Sequence, residues 1–224
     1  GQKGTGKWSV INAMELGMPL GLIATAVFER SLSAQKELRE TASRQFQCKR
    51  TQAVYNKPEL VKEIYAALYA SKLVSYAQGF AVLQRASDTF GWKLDLSSIA
   101  RMWRGGCIIR SIFLNDIAAA FEVKDKPKNL LLAPYFRDEI KGLLSGWKTL
   151  VVQAMRELPF PAFSSALNYF YSLVSANLPA NMIQAQRDYF GAHTFERKDE
   201  LRGQFFHENW TGHGGDTKSG TYNN

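Results

Sequence analysis

The run from Pro58 to about Phe90 constrains this chain more than any other segment. Tyr65, Tyr69, Leu73, Tyr76, Phe80 and Leu83 recur there at spacings of three and four, which is one apolar stripe of an α-helix. Leu60, Ile64 and Leu68 form a second stripe beside it. A helix apolar on two sides belongs inside a bundle, so this one is expected at the centre of a helical domain. The same period runs through most of the sequence. Helices are predicted over Trp8 to Leu16, Leu20 to Leu32, a charged surface segment Ser33 to Arg44, Leu96 to Arg104, and Cys107 to about Phe121. Further helices are predicted over Leu130 to Leu158 with a bend at Pro134, Phe163 to Ala176, and Ala180 to Phe190. Asp95 or Ser97 is available to cap the segment from Leu96. No strand alternation is evident. The expected fold is all-α: a large multi-helix domain with long central helices over residues 1–190, and an extended tail over 191–224.

The tail is rich in Gly, Asn, Thr and His, yet it holds Phe195, Phe205, Phe206, Trp210 and Tyr222. Disordered tails are poor in aromatics, so this one is expected to pack on something, within reach of a neighbouring subunit. The 29 residues from Leu158 to Gln186 carry no charge, but Pro159, Pro161 and Pro179 and three asparagines break them up. They read as a buried helix pair and not a membrane span. No charged segment precedes an apolar one, so no signal peptide is read, and a glycine-rich start without Met reads as part of a longer chain. Cys48 and Cys107 make no disulfide framework and suit a reducing, cytoplasmic setting as small, buried or half-buried side chains.

The formal net charge is +8, from 28 Lys and Arg against 20 Asp and Glu. The basic residues are scattered among acidic ones with no run and no nucleic-acid module, so a nucleic-acid partner is not expected. An anionic small substrate, or a partner half that balances the charge, fits better.

Residues 1–8 read GQKGTGKW. Gly1, Gly6 and Lys7 mimic a nucleotide phosphate loop. Trp8 stands where that motif needs a hydroxyl, and no strand precedes it, so both requirements fail. The physics of such a turn still holds: a glycine-rich approach to a helix start turns free N–H groups toward an anion. Lys3 and Lys7 add charge there, and Thr5 adds a donor. A flexible loop with solvated lysines is the plain alternative.

Five stretches resemble the 6-phosphogluconate dehydrogenase family: Gly1–Trp8 (GQKGTGKW), Ala26–Leu32 (AVFERSL), Trp103–Arg110 (WRGGCIIR), Gln184–Thr194 (QAQRDYFGAHT) and Asn209–Gly215 (NWTGHGG). They keep the family's order across nearly the whole chain. The resemblance implies an enzyme that oxidises 6-phosphogluconate at a secondary alcohol with NADP. It then releases carbon dioxide and tautomerises the enediol to ribulose 5-phosphate without a metal, a step of the pentose phosphate pathway. It implies a dimer whose tail threads the partner subunit. Lys3, Thr5 and Arg30 match residues that bind the substrate phosphate. Arg187 matches an arginine given to that phosphate by the other subunit, and His193 a histidine of the same subunit that hydrogen-bonds substrate. The family's general-base lysine, its acidic glutamate and its NADP-recognising turn match nothing in these residues, so no acid or base is assigned in this chain. His207 is read as structural. A non-catalytic helical dimerisation scaffold is the rival reading.

Overall fold

A computed structural model describes residues 3–47, 56–105, 107, 111–156, 158–210 and 212. Cys48, most of the Cys107–Arg110 stretch, and His213 to Tyr222 of the tail lie outside the described residues. The chain divides into two compact units, residues 1–171 and 172–224.

The first unit is helical. α1 (Thr5–Glu15) and α2 (Gly21–Ser33) lead to the exposed, charged α3 (Lys36–Phe46). The predicted central helix is α4, Lys57–Phe90, with proline in its first turn and Gly91 at φ 68° closing it in the left-handed conformation. At 1.5 Å per residue it is about 50 Å long. Asp95 caps α5 (Leu96–Arg104), accepting from the N–H groups of Ser97 and Ser98 at 3.1 and 3.3 Å. α6 (Leu114–Glu122), α7 (Pro134–Met155) and α8 (Pro161–Val174) complete the helices that start in this unit.

The core lies between α4 and α7, where Leu73, Val74, Phe80, Phe136, Ile140 and Trp147 are buried with Leu96 of α5 and Leu114 and Ile117 of α6. The predicted second stripe is corrected in part: Leu60 is partly buried against the core, but Ile64 and Leu68 are exposed, as is Tyr65 of the first stripe. Beside Leu73, Val74 and Phe80, the buried face of α4 is made by Ala66, Ala67, Ala70 and Ala77. Small side chains let α7 come close, and a Cβ built on Gly146 would stand 3.0 Å from that of Ala66. Reading bulk alone misplaces such a face.

Two helix boundaries also differ from the sequence reading. The helix expected from Cys107 begins only at Leu114, after Ser111 outside any helix and a fully solvated Ile112. Ile112 is β-branched, which disfavours a helix there. Pro134 does not bend one long helix. It separates a 3-10 turn, Leu130–Leu132, from α7, because a residue before proline is driven extended: Ala133 has φ −64° and ψ 141°.

The second unit holds α9 (Asn181–Gly191) and two short antiparallel strands, β1 (Phe195–Glu196) and β2 (Phe205–Phe206), paired Phe195 to Phe206 and Glu196 to Phe205. Strands of two residues are too short to show an alternation, which is why the sequence reading found none. The expected buried helix pair is corrected as well. α8 is half-buried, whereas α9 buries only Asp188 and exposes Met182, Ile183, Tyr189 and Phe190. No helix among the described residues is long and apolar enough to cross a membrane.

Candidate functional site

The first group of candidate residues sits at one end of the α1–α2 hairpin. Gly4 takes φ 92°, a left-handed conformation suited to glycine, and delivers the chain into α1. No side chain caps this helix start and no acidic residue occupies its first turn. The early N–H groups therefore face outward at the positive end of the helix dipole. Lys3 and Thr5 are exposed on this turn. Lys7 sends its ammonium over the Trp8 ring, 5.0 Å from the centroid.

Gly6 decides how this turn meets α2. A Cβ built there would lie 2.9 Å from Cγ2 of Val27, so glycine permits the close approach of the two helices. Arg30 follows Val27 by one turn, exposed in the last turn of α2. The Gly6–Val27 contact thus places Lys3 and Thr5 at the same end of the hairpin as Arg30. The hairpin is itself tied to α4. The N–H of Leu22 donates to Oε1 of the buried Gln78 at 3.2 Å, and Nε of Arg85 donates to the carbonyl of Leu16 at 3.4 Å.

The second group lies at the end of α9. Arg187 is exposed there, and His193 is half-buried just beyond the helix. Two non-glycine residues in the left-handed region flank His193: Ala192 at φ 50° and Thr194 at φ 61°. Such backbone persists where its surroundings hold it. Asp188 supplies the hold. Its fully buried carboxylate accepts from the N–H of Thr194 at 2.8 Å and from Nδ1 of His207 at 3.0 Å. It also accepts from the N–H of Glu208 at 3.1 Å and from Nε1 of Trp210 at 2.9 Å. From one turn earlier, Nε2 of Gln184 donates to the carbonyl of Thr194 at 2.5 Å. His207 thus helps to hold the Asp188 carboxylate in place. Asp188 is not an ion-pair partner for Arg187, because both its oxygens serve other donors.

Sequence reasoning missed Asp188. A signal existed: an acid in the last turn of a helix opposes the dipole, and it is one of only two charged residues between Leu158 and Phe195. Burial pushes its pKa up, but the bonds from Trp210, His207, Glu208 and Thr194 together prevail and bring it to about 2. A folded pKa below the unfolded one gives stability that is complete above the unfolded value near 4 and disappears as pH falls through about 2. Near neutral pH, Asp188→Asn is expected to cost roughly 2 kcal/mol of protection at the Thr194 and Glu208 amides. The gap from wild type should narrow between about pH 4 and pH 2. Native-state hydrogen exchange on both proteins checks this; a gap unchanged by pH would refute it.

In the first unit, Nη1 of Arg104 donates to Oδ1 of Asn115 at 2.7 Å beside an open cleft also bordered by Ser111 and Ile112. None of the candidate residues lines it.

The family model described as "6-phosphogluconate dehydrogenase, C-terminal domain" matches residues 1–210. The decarboxylating 6-phosphogluconate dehydrogenase of Treponema pallidum is 52% identical over 229 residues, covering 99% of this chain and 47% of the relative. That of Rattus norvegicus is 48% identical over 225 residues, covering all of this chain and 46% of the relative. The chain spans about half the length of the curated relatives it matches. Among solved structures it is similar to the 6-phosphogluconate dehydrogenase of Plasmodium falciparum, determined in its apo form, with its cofactor NADP+ and with its substrate 6-phosphogluconate. That likeness has a TM-score of 0.87 and 41% identity, and covers 94% of this chain and 45% of the other.

Proposed function

The chain belongs to the family of 6-phosphogluconate dehydrogenase C-terminal domains, and from that premise we propose that it is the substrate-binding and dimerising part of an NADP-dependent, cytoplasmic 6-phosphogluconate dehydrogenase. The parent enzyme converts 6-phosphogluconate to ribulose 5-phosphate, a step of the pentose phosphate pathway. Residues 1–190 grip the substrate and form the dimer, and 191–224 reach the partner subunit.

The observation that carries this reading is the Gly6–Val27 contact, which gathers an uncapped helix start, two lysines, Thr5 and Arg30 at one end of a hairpin. Phosphate carries about two negative charges and several acceptor oxygens. A guanidinium fork, an ammonium and outward N–H groups suit it. Arg187 and His193, brought from the second subunit, complete the grip. Binding a remote phosphate orients the carbon that reacts. The chain's own residues thus bind and orient; no proton transfer is assigned to them. The described residues form helices and one two-stranded antiparallel hairpin, and no NADP contact is assigned to them. NADP supplies the hydride acceptor, and its cradle belongs to the other half of the enzyme. The scaffold alternative leaves the cation cluster and the strained His193 turn without a purpose.

A mixed dimer of the full-length enzyme tests the shared grip. One subunit carries Arg187→Ala and the other Arg30→Ala. One site then keeps both arginines and the other loses both. About half of the wild-type kcat with an unchanged KM is expected, because each site draws on both chains. Damage at both sites would mean that Arg30 and Arg187 of a single chain work together.

A further inference from the structure

We propose that Gln184, Asp188 and Gly191 form a holder that aims the His193 ring: the first two fasten Thr194 by its carbonyl and N–H, and Gly191 leaves the space in which the imidazole lies. This rests on the reading of His193 as a substrate ligand and adds positioning residues to it.

Gly191 lies beside the ring. It ends α9 without a positive φ, so its backbone does not require glycine. A Cβ built there would stand 3.1 Å from Nε2 and 3.2 Å from Cδ2 of His193, its only contacts within 4 Å apart from its chain neighbours and the backbone of its own helix. The missing side chain is therefore accounted for by the ring. An added methyl would crowd Nε2, a nitrogen through which the ring can hydrogen-bond substrate. The ring cannot easily give way by moving its backbone. Ala192 and Thr194 are both left-handed, the N–H of Ala192 is bonded to the carbonyl of Asp188 at 2.9 Å, and Thr194 is held on both its N–H and its carbonyl. A ligand fixed on both flanks and pressed against one face has a narrow range of directions, which is what orientation of a reactant demands.

Alanine is a better helix former than glycine. With the imidazole turning about its own side-chain torsions to admit the methyl, Gly191→Ala should leave stability nearly unchanged, while a purely structural role for Gly191 would lower it. The test is a double-mutant cycle in the full-length dimer with 6-phosphogluconate: Gly191→Ala, His193→Ala and both together, with KM, kcat and thermal midpoint measured for each. Gly191→Ala is expected to raise KM roughly tenfold with kcat little changed, and to add nothing once His193 is alanine, since residues in contact couple. Gln184→Ala, which frees the Thr194 carbonyl, should behave the same way in a parallel cycle and serves if Gly191→Ala does not fold. An equal effect of these changes with and without the His193 ring would overturn the holder. So would a normal KM in Gly191→Ala and Gln184→Ala alongside a raised KM in His193→Ala, and that outcome leaves His193 as a ligand. A normal KM in His193→Ala would overturn the ligand reading itself and the holder with it.

Discussion

A polypeptide of these 224 residues alone is expected to form no NADPH from 6-phosphogluconate. Hydride transfer requires a dinucleotide held against the substrate carbon, and under the proposed division of labour the other half of the enzyme holds it. The family resemblance also leaves the general base unmatched here. Enzymes of this kind lower barriers by many kcal/mol, so losing the reacting partners removes about 10⁶-fold or more of rate. A spectrophotometric assay with pure polypeptide checks it. Robust NADPH formation would mean that acid, base and cofactor site all lie within this half, and the division of labour proposed above would fall.

Much of the fold was legible because its helices carry local signs. Pro58 and Gly91 bracket α4, Asp95 caps α5, and Leu73, Tyr76 and Phe80 keep a helical stripe that is buried. Errors arose where the deciding contacts are distant or made by small residues. Ala66 and Ala70 look neutral in sequence, yet they form the face on which α7 rests, while the larger Ile64 and Leu68 are exposed. Ile112 extends an apolar pattern that the backbone does not follow, and it lies in solvent.

The candidate site divides in the same way. Lys3, Thr5 and Arg30 were identifiable from residue type and resemblance. What brings them to one end of the hairpin is Gly6, whose value lies in the side chain it lacks beside Val27. Around His193 the organiser is Asp188, and its importance depends on donors from Thr194, His207, Glu208 and Trp210, up to 22 residues away in sequence. A buried carboxylate with its donors so spread carries no local motif.

Arg30→Ala in the full-length enzyme is expected to have the largest effect of any single substitution in the grip. A guanidinium can donate two parallel bonds to a phosphate, and hydrogen bonds to charged groups contribute about 1.5–3 kcal/mol each. Losing both should lower kcat/KM for 6-phosphogluconate by about 10²- to 10⁴-fold. Lysine at this position should restore only part of it, because a point charge replaces a planar fork. Arg30 is exposed at the end of α2, so the change should leave the fold and the thermal midpoint nearly as they were.

Comparing two substrates in that variant addresses the phosphate directly. Gluconate presents the same reacting carbons without the phosphate. If Arg30 grips that group, kcat/KM for 6-phosphogluconate falls by about two to four orders of magnitude while the slow turnover of gluconate is unchanged, and the preference between the two collapses by the same factor. Equal losses on both substrates would place the role of Arg30 elsewhere and contradict the phosphate grip on which the proposed function rests.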